Sequence, residues 1–277
     1  MERLWFITNP HSGSSDAKKA EAIEAACTER GLSFVGRTDF PDQALPTIAD
    51  LDRAGADTVV LFAGDGTINA ASCALAAWNG GILILPGGTM NMLAKVLHGD
   101  ADPAAILHAA HEHGRPIALP YVEAGKHRAL VGTIVGPAAS WYRAREHVRE
   151  GSLGRIWPAI RAAWRRTFGR GVKLTGAPGF PPRVQAAYIR AQDDHLQIAA
   201  VDARDARAIA DLGWNWVTGD WLAAQAVTEV RTDQVRIAER RPVLALFDGE
   251  PQMLDPGTAI TVGRSRKQFI TTAKEEA

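Results

Sequence analysis

The sequence predicts a two-domain α/β protein, with a parallel-sheet domain first and an antiparallel β domain after it. Two observations carry that prediction. Over the first third of the chain, short apolar runs alternate with helical stretches, the pattern of strands joined by crossover helices. From about Leu119 onward, short alternating runs are separated by turn residues, the pattern of antiparallel pairing. A length of 277 residues suits two domains at roughly 100–200 residues each.

The elements follow in order. Residues 4–8 form the first strand candidate and end in Asn9-Pro10-His11-Ser12-Gly13. Residues 16–30 have helical composition and stop at Gly31, where a glycine suits a left-handed C-cap. Residues 32–37 read as a second strand and 43–54 as a second helix. The strongly β-like run 58–63 passes straight into Gly64-Asp65-Gly66-Thr67 and an alanine-rich helix to Asn79. Another strand, 81–85, is followed by Pro86-Gly87-Gly88-Thr89 and a helix to about Leu97. Later strand-like runs fall at 121–124, 128–135, 183–191, 196–201, 227–231, 234–238 and 243–247, with two more inside 259–271. A helical stretch at 138–170 interrupts them.

Composition excludes several classes. Lysine plus arginine balances aspartate plus glutamate at 31 each, so no global field draws the chain to nucleic acid. Cys27 and Cys73 fit a reducing compartment better than a disulfide scaffold. No stretch approaches the ~20 apolar residues of a spanning helix, and the first residues lack the pattern of a secretory leader. A cytoplasmic protein that visits membranes transiently is the expectation.

Three loops follow strands of the first domain, and ligands of open parallel sheets bind beyond the carboxyl ends of strands. The loop from Asn9 to Gly13 offers small polar groups, although an ordinary turn has the same composition. The loop from Ala63 to Thr67 pairs two glycines with a threonine placed to cap the next helix. A helix start attracts anions, so phosphate is its expected guest, and Asp65 is placed to hold an accompanying Mg²⁺. The run Pro86-Gly87-Gly88-Thr89-Met90-Asn91 repeats this design, with Asn91 adding a neutral donor and acceptor. A fourth element, Leu246-Phe247-Asp248-Gly249-Glu250, ends an apolar strand in two carboxylates and reads equally as an acidic hairpin turn. A Walker loop, a complete dinucleotide fingerprint and the protein-kinase motif set are all missing.

Taken together, these four elements resemble the diacylglycerol kinase catalytic-domain family, which includes bacterial lipid kinases and sphingosine kinases. The resemblance rests on Asn9 to Gly13, Ala63 to Thr67, Pro86 to Asn91 and Asp248 to Glu250. It implies a nucleotide-binding α/β domain over 1–118, rejoined by 259–277. A β-sandwich lipid-substrate domain over 119–258 would carry the helical insertion. It implies ATP as phosphate donor, bound by Asn9, Ser12, Gly13, Gly64, Gly66, Thr67, Gly88, Thr89 and Asn91. Asp65 would be catalytic through Mg²⁺, Asp248 would either join that metal or shape the turn, and Glu250 would take the proton from a lipid hydroxyl. A homodimer is open, since the family commonly forms dimers. The chain departs from the family pattern at Ala63, at Met92, where many members have aspartate, and over residues 131–136, which lack an asparagine.

Two alternatives stand beside the lipid kinase. One is a kinase for a soluble alcohol, as in NAD kinases, which share the Gly-Asp-Gly loop; the other is a catalytically degenerate nucleotide- or lipid-binding protein. The segment 153–171 places Leu153, Trp157, Ile160, Trp164 and Phe168 on one helical face and several arginines elsewhere. Such a helix suits an anionic membrane surface or packs its stripe on the β domain. His108, His111 and His113 match no zinc-protease order and are expected to serve a helix end. Trp214, Trp216 and Trp221 are expected to pack in the second domain.

Overall fold

A computed structural model describes residues 1–11, 17–88, 91–137, 139, 171–181, 183–201 and 227–273. The chain divides into two compact units, Met1–Leu119 with Arg264–Ala277, and Pro120–Gly263.

The first unit is built on a sheet of β1 (Arg3–Thr8), β2 (Ser33–Asp39), β3 (Thr58–Ala63), β4 (Gly81–Pro86), β5 (Arg115–Ile117) and β17 (Phe269–Thr271). Their order is β2-β1-β3-β4-β17-β5. All neighbours are parallel except β17 and β5. Val59 to Ala63 and Ile82 to Leu85 are fully buried, as central strands of a parallel sheet covered on both faces must be. Around them stand α1 (Ala17–Glu29), α2 (Ile48–Ala54), α3 (Asp65–Ala74), α4 (Met92–His98) and α5 (Pro103–His113).

Local chemistry corrects several expected boundaries. The helix expected from residue 43 starts at Ile48, because Pro46 disfavours helix at the residue before it and Thr47 with Asp50 forms a capping box. Gly55 closes that helix at φ 66. The helix expected to reach Asn79 stops at Ala74. Helix α5 provides the helix end that the histidines of 108–113 are expected to serve, with His111 and His113 in its last turn. Its signal was local: Asp102 accepts from the amides of Ala104 and Ala105, with Pro103 in the first turn. The return to the first sheet begins later than residue 259, since β16 (Ala259–Arg264) pairs with β13 (Gln234–Ile237) in the second unit.

In the second unit, β8 (Thr133–Val135), β10 (Ala186–Gln192), β11 (His195–Val201), β12 (Val227–Thr232), β14 (Val243–Phe247) and β15 (Glu250–Leu254) form one sheet, in the order β12-β11-β10-β8-β14-β15. A second contains β6 (Pro120–Ala124), β7 (His127–Ala129), β9 (Leu174–Thr175), β13 and β16. Both sheets feed one buried core, including Val122, Val135, Ile189, Ile198, Val235, Phe247 and Ile260. The strand expected over 128–135 is broken after Ala129, because the amides of Leu130, Val131 and Gly132 turn to the carboxylate of Asp248.

The helical stretch 138–170, nearly all of the 153–171 segment, and Trp214, Trp216 and Trp221 lie outside the described residues. Among the described residues no helix is long and apolar enough to cross a membrane.

Candidate active site

Three loops leave the carboxyl ends of β1, β3 and β4, and direct contacts tie them together. The Asn9 side chain donates through Nδ2 to Thr67 Oγ1 at 2.9 Å, and its Oδ1 accepts from the His11 amide at 2.9 Å. One amide therefore fixes the β1 loop on itself and on the first turn of α3. The second joint is steric. A Cβ on Gly88 would lie 2.6 Å from the Gly64 Cα, and one on Gly87 would lie 2.6 Å from the Ala63 nitrogen. Backbones this close leave no room for a side chain. Within the β4 loop itself, the Gly88 amide donates to Asn91 Oδ1 at 2.6 Å.

The reasons for the loop residues differ from those expected. Gly64 has φ −80 and is the N-cap of α3, while neither Gly87 nor Gly88 adopts the left-handed region. The glycines serve close approach, not unusual dihedrals. Thr67 does not cap α3, which begins at Asp65 with no side-chain cap. Its buried hydroxyl instead meets Asn9. Helix α4 has Asn91 at its N-cap, in a left-handed conformation at φ 51 and with no side-chain capping bond. Asp65 sits half-buried in the first turn of α3, with Oδ1 withdrawn from solvent.

The first unit thus brings together Asn9, Gly64, Asp65, Gly66, Thr67, Gly88 and Asn91. Ser12, Gly13 and Thr89 lie outside the described residues. Met92 opens α4 and is 36% exposed.

Asp248 and Glu250 belong to the second unit. Asp248 at φ 47 and Gly249 at φ 90 make the two-residue turn between β14 and β15. Positive φ at both central positions is the type I′ pattern, for which Asp-Gly is a favoured pair. Glu250 closes the turn opposite Phe247 and is exposed. Sequence reasoning missed the surroundings of this turn. His127 lies against Phe247 with ring centroids 5.5 Å apart, and burial, then Lys126, lowers its basicity. Tyr188 packs where any side chain at Gly132 would fall, and burial raises its phenol above the ordinary range. No local signal marks these contacts, since His127 and Phe247 are 120 residues apart in sequence and Gly132 and Tyr188 are 56 apart.

Among the described residues no three or more acidic, histidine or cysteine side chains converge as a metal centre. His108 is engaged by Arg30 and Glu112.

A parallel sheet whose carboxyl rim carries two interlocked glycine loops and a helix start defines an α/β domain of the kind that binds phosphate-bearing ligands at that rim. Residues 3–122 match the family model of the diacylglycerol kinase catalytic domain. Among solved structures, a diacylglycerol kinase from Bacillus anthracis str. Sterne superposes with a TM-score of 0.64 at 17% identity, over 99% of this chain and 97% of that one. A candidate diacylglycerol kinase from the same strain gives 0.66 at 18%, over 99% and 98%. At such identity the likeness speaks for the fold. No curated protein matches the chain.

Proposed function

We propose that the protein is an ATP-dependent lipid kinase that transfers the γ-phosphate to the hydroxyl of a diacylglycerol-like or sphingoid lipid. The observation that carries this reading is the interlock of the Gly64 and Gly88 loops around the start of α3, inside the span that matches the kinase domain. In this reading the ATP phosphates lie along Gly64, Gly66, Thr67, Gly88 and Thr89, where backbone amides and the positive end of α3 favour them. Asn9 and Asn91 hold these loops in shape, and Ser12 and Gly13 join the nucleotide contacts in this reading. Because Asn9 donates to Thr67 Oγ1, the Thr67 hydroxyl keeps its own hydrogen for a phosphate oxygen.

The donor set fits Mg²⁺ brought in with the nucleotide. Such an ion commonly takes one or two protein carboxylates, with phosphates and water completing its shell. Asp65, with its withdrawn Oδ1 at a helix start, is the carboxylate that would hold it. The ion supplies charge neutralisation, since phosphoryl transfer depends on positioning and electrostatics more than covalent help. Glu250 is the base that takes the hydroxyl proton. The basic and aromatic segment 153–171 would meet the membrane that presents the lipid, transiently and from the cytoplasmic side.

The test is transfer of radiolabelled γ-phosphate from ATP, with Mg²⁺, to dispersed diacylglycerol, sphingosine, ceramide and phosphatidylglycerol. A labelled lipid that disappears with Asp65→Asn is the expected result. Glu250→Gln should leave ATP affinity nearly intact and cut turnover by roughly 10²–10⁴; activity equal to wild type would remove Glu250 from the mechanism. Label in soluble alcohols alone would replace the lipid with a soluble acceptor. Nucleotide binding without transfer to anything would leave a binding protein.

A further inference from the structure

The turn that presents Glu250 is held by more than a turn requires. An Asp-Gly pair forms a type I′ hairpin through backbone preference alone, and asparagine would serve as well. Here the Asp248 carboxylate also reaches across to the break between β7 and β8. Its Oδ2 accepts from the Leu130 amide at 2.8 Å, and its Oδ1 accepts from the amides of Val131 and Gly132 at 3.0 Å each. The Asp248 amide returns the contact by donating to the Gly132 carbonyl at 3.1 Å. Behind the clasp stands Tyr188, whose hydroxyl donates to the Val131 carbonyl at 3.4 Å. A Cβ on Gly132 would come within 2.8 Å of the Tyr188 ring.

We propose that Asp248 is a positioning residue for Glu250, clasping the hairpin to the 130–132 segment, and is not a metal ligand. The inference rests on the reading of Glu250 as the base. Amides released from a strand ladder need acceptors, and hydrogen bonds to a charged oxygen are about twice as strong as neutral ones. A carboxylate offers about four acceptor positions, and amides occupy three of them here. Those donors present partial positive charge at the oxygens a cation would need, which disfavours Mg²⁺ there. Glu250 closes the turn that Asp248 opens, so slack in the clasp passes to the carboxylate of Glu250. Displacement of about 1 Å in a reacting group can cost ~10²-fold in rate.

Asp248→Gly separates the clasp from the turn, since glycine keeps the positive φ and removes the carboxylate. In the full-length protein, with labelled ATP and the best lipid of the panel, kcat should fall roughly 10–10²-fold. The Mg²⁺ concentration giving half-maximal rate and KM for ATP should stay within about twofold. Asp248→Asn, which keeps an acceptor, should fall between Asp248→Gly and wild type. Hydrogen exchange across residues 130–132 should speed up in Asp248→Gly and stay unchanged in wild type when Mg²⁺ and ATP are added. An Mg²⁺ requirement raised about tenfold or more in Asp248→Asn would overturn the proposal in favour of a metal ligand, and that variant decides even if Asp248→Gly fails to fold. An unchanged kcat in Asp248→Gly would overturn it too. Wild-type protein that labels no lipid would sink the kinase reading, whereas the exchange arm would still show whether the clasp holds the hairpin.

Discussion

The rim of the first unit and the hairpin of the second both fix a polar group on a loop, by opposite means. At the rim side chains are left out: Gly88 approaches Gly64 so closely that a Cβ would meet its Cα at 2.6 Å. At the hairpin a side chain is put in, and the Asp248 carboxylate gathers three amides. Their glycines differ in the same way. Gly88 has ordinary dihedrals and no space, whereas Gly249 has open space around it but φ 90. A glycine in a loop is thus not one signal, because exclusion and conformation respond differently to substitution.

The sharpest way to break the contrast is Gly88→Ala. Its new methyl can be relieved only by moving backbone, since the obstructing atom is the Gly64 Cα. Loss of lipid phosphorylation by more than ~10²-fold is expected. Overpacking should also cost about 1–3 kcal/mol, read from denaturant unfolding. Wild-type ATP affinity in this variant would show that the two loops do not form the phosphate site.

Acid should separate the units next. His98 is buried at the end of α4, with Nδ1 3.0 Å from the Thr272 hydroxyl. Burial, only partly offset by the Ile84 backbone, pushes its imidazole down to about 4 from an ordinary value of 6.5. The unfolded chain therefore binds the proton more readily. Stability is fully present above about pH 6.5 and is lost as pH falls toward 4, by up to about 3 kcal/mol. Urea unfolding against pH measures this, and His98→Gln should flatten the dependence. Hydrogen exchange should show the first unit loosening first, because His127 in the second is only half-buried.

The smallest effect is expected at Gly249. Gly249→Ala should cost about 1–2 kcal/mol, the penalty of placing an ordinary side chain at positive φ, and Gly249→Asn should cost less. Thermal unfolding decides, and equal losses for alanine and asparagine would mean that space, not conformation, matters there.

Much of this was legible in the sequence. Alternating strand and helix signals gave the parallel unit, and the strands before Asn9, Gly64 and Gly87 stand where apolar runs meet glycine or asparagine. The roles within the loops were less legible. Thr67 looked like a cap, because a threonine after glycines usually caps; its actual partner, Asn9, is 58 residues away in sequence. Asp248 looked like either a metal ligand or a turn former, and the amides that engage it lie at least 116 residues earlier. Local pattern reports what a segment prefers by itself. It does not report which distant backbone was left without a partner, and that need gave Asp248 its contacts.

The strand β17 has a consequence for how the chain is made. It lies between β4 and β5, with Phe269 beside both Ile82 and Ile117, and Thr271 Oγ1 donates to the Leu97 carbonyl. During synthesis the second unit, Pro120–Gly263, emerges whole before this strand exists. Until then β4 has one open edge, and open edges invite pairing with other chains. The unit that supplies β1 to β5 is therefore completed only after the other unit has been made. The nascent protein must shelter an incomplete sheet while all of Pro120–Gly263 is being added.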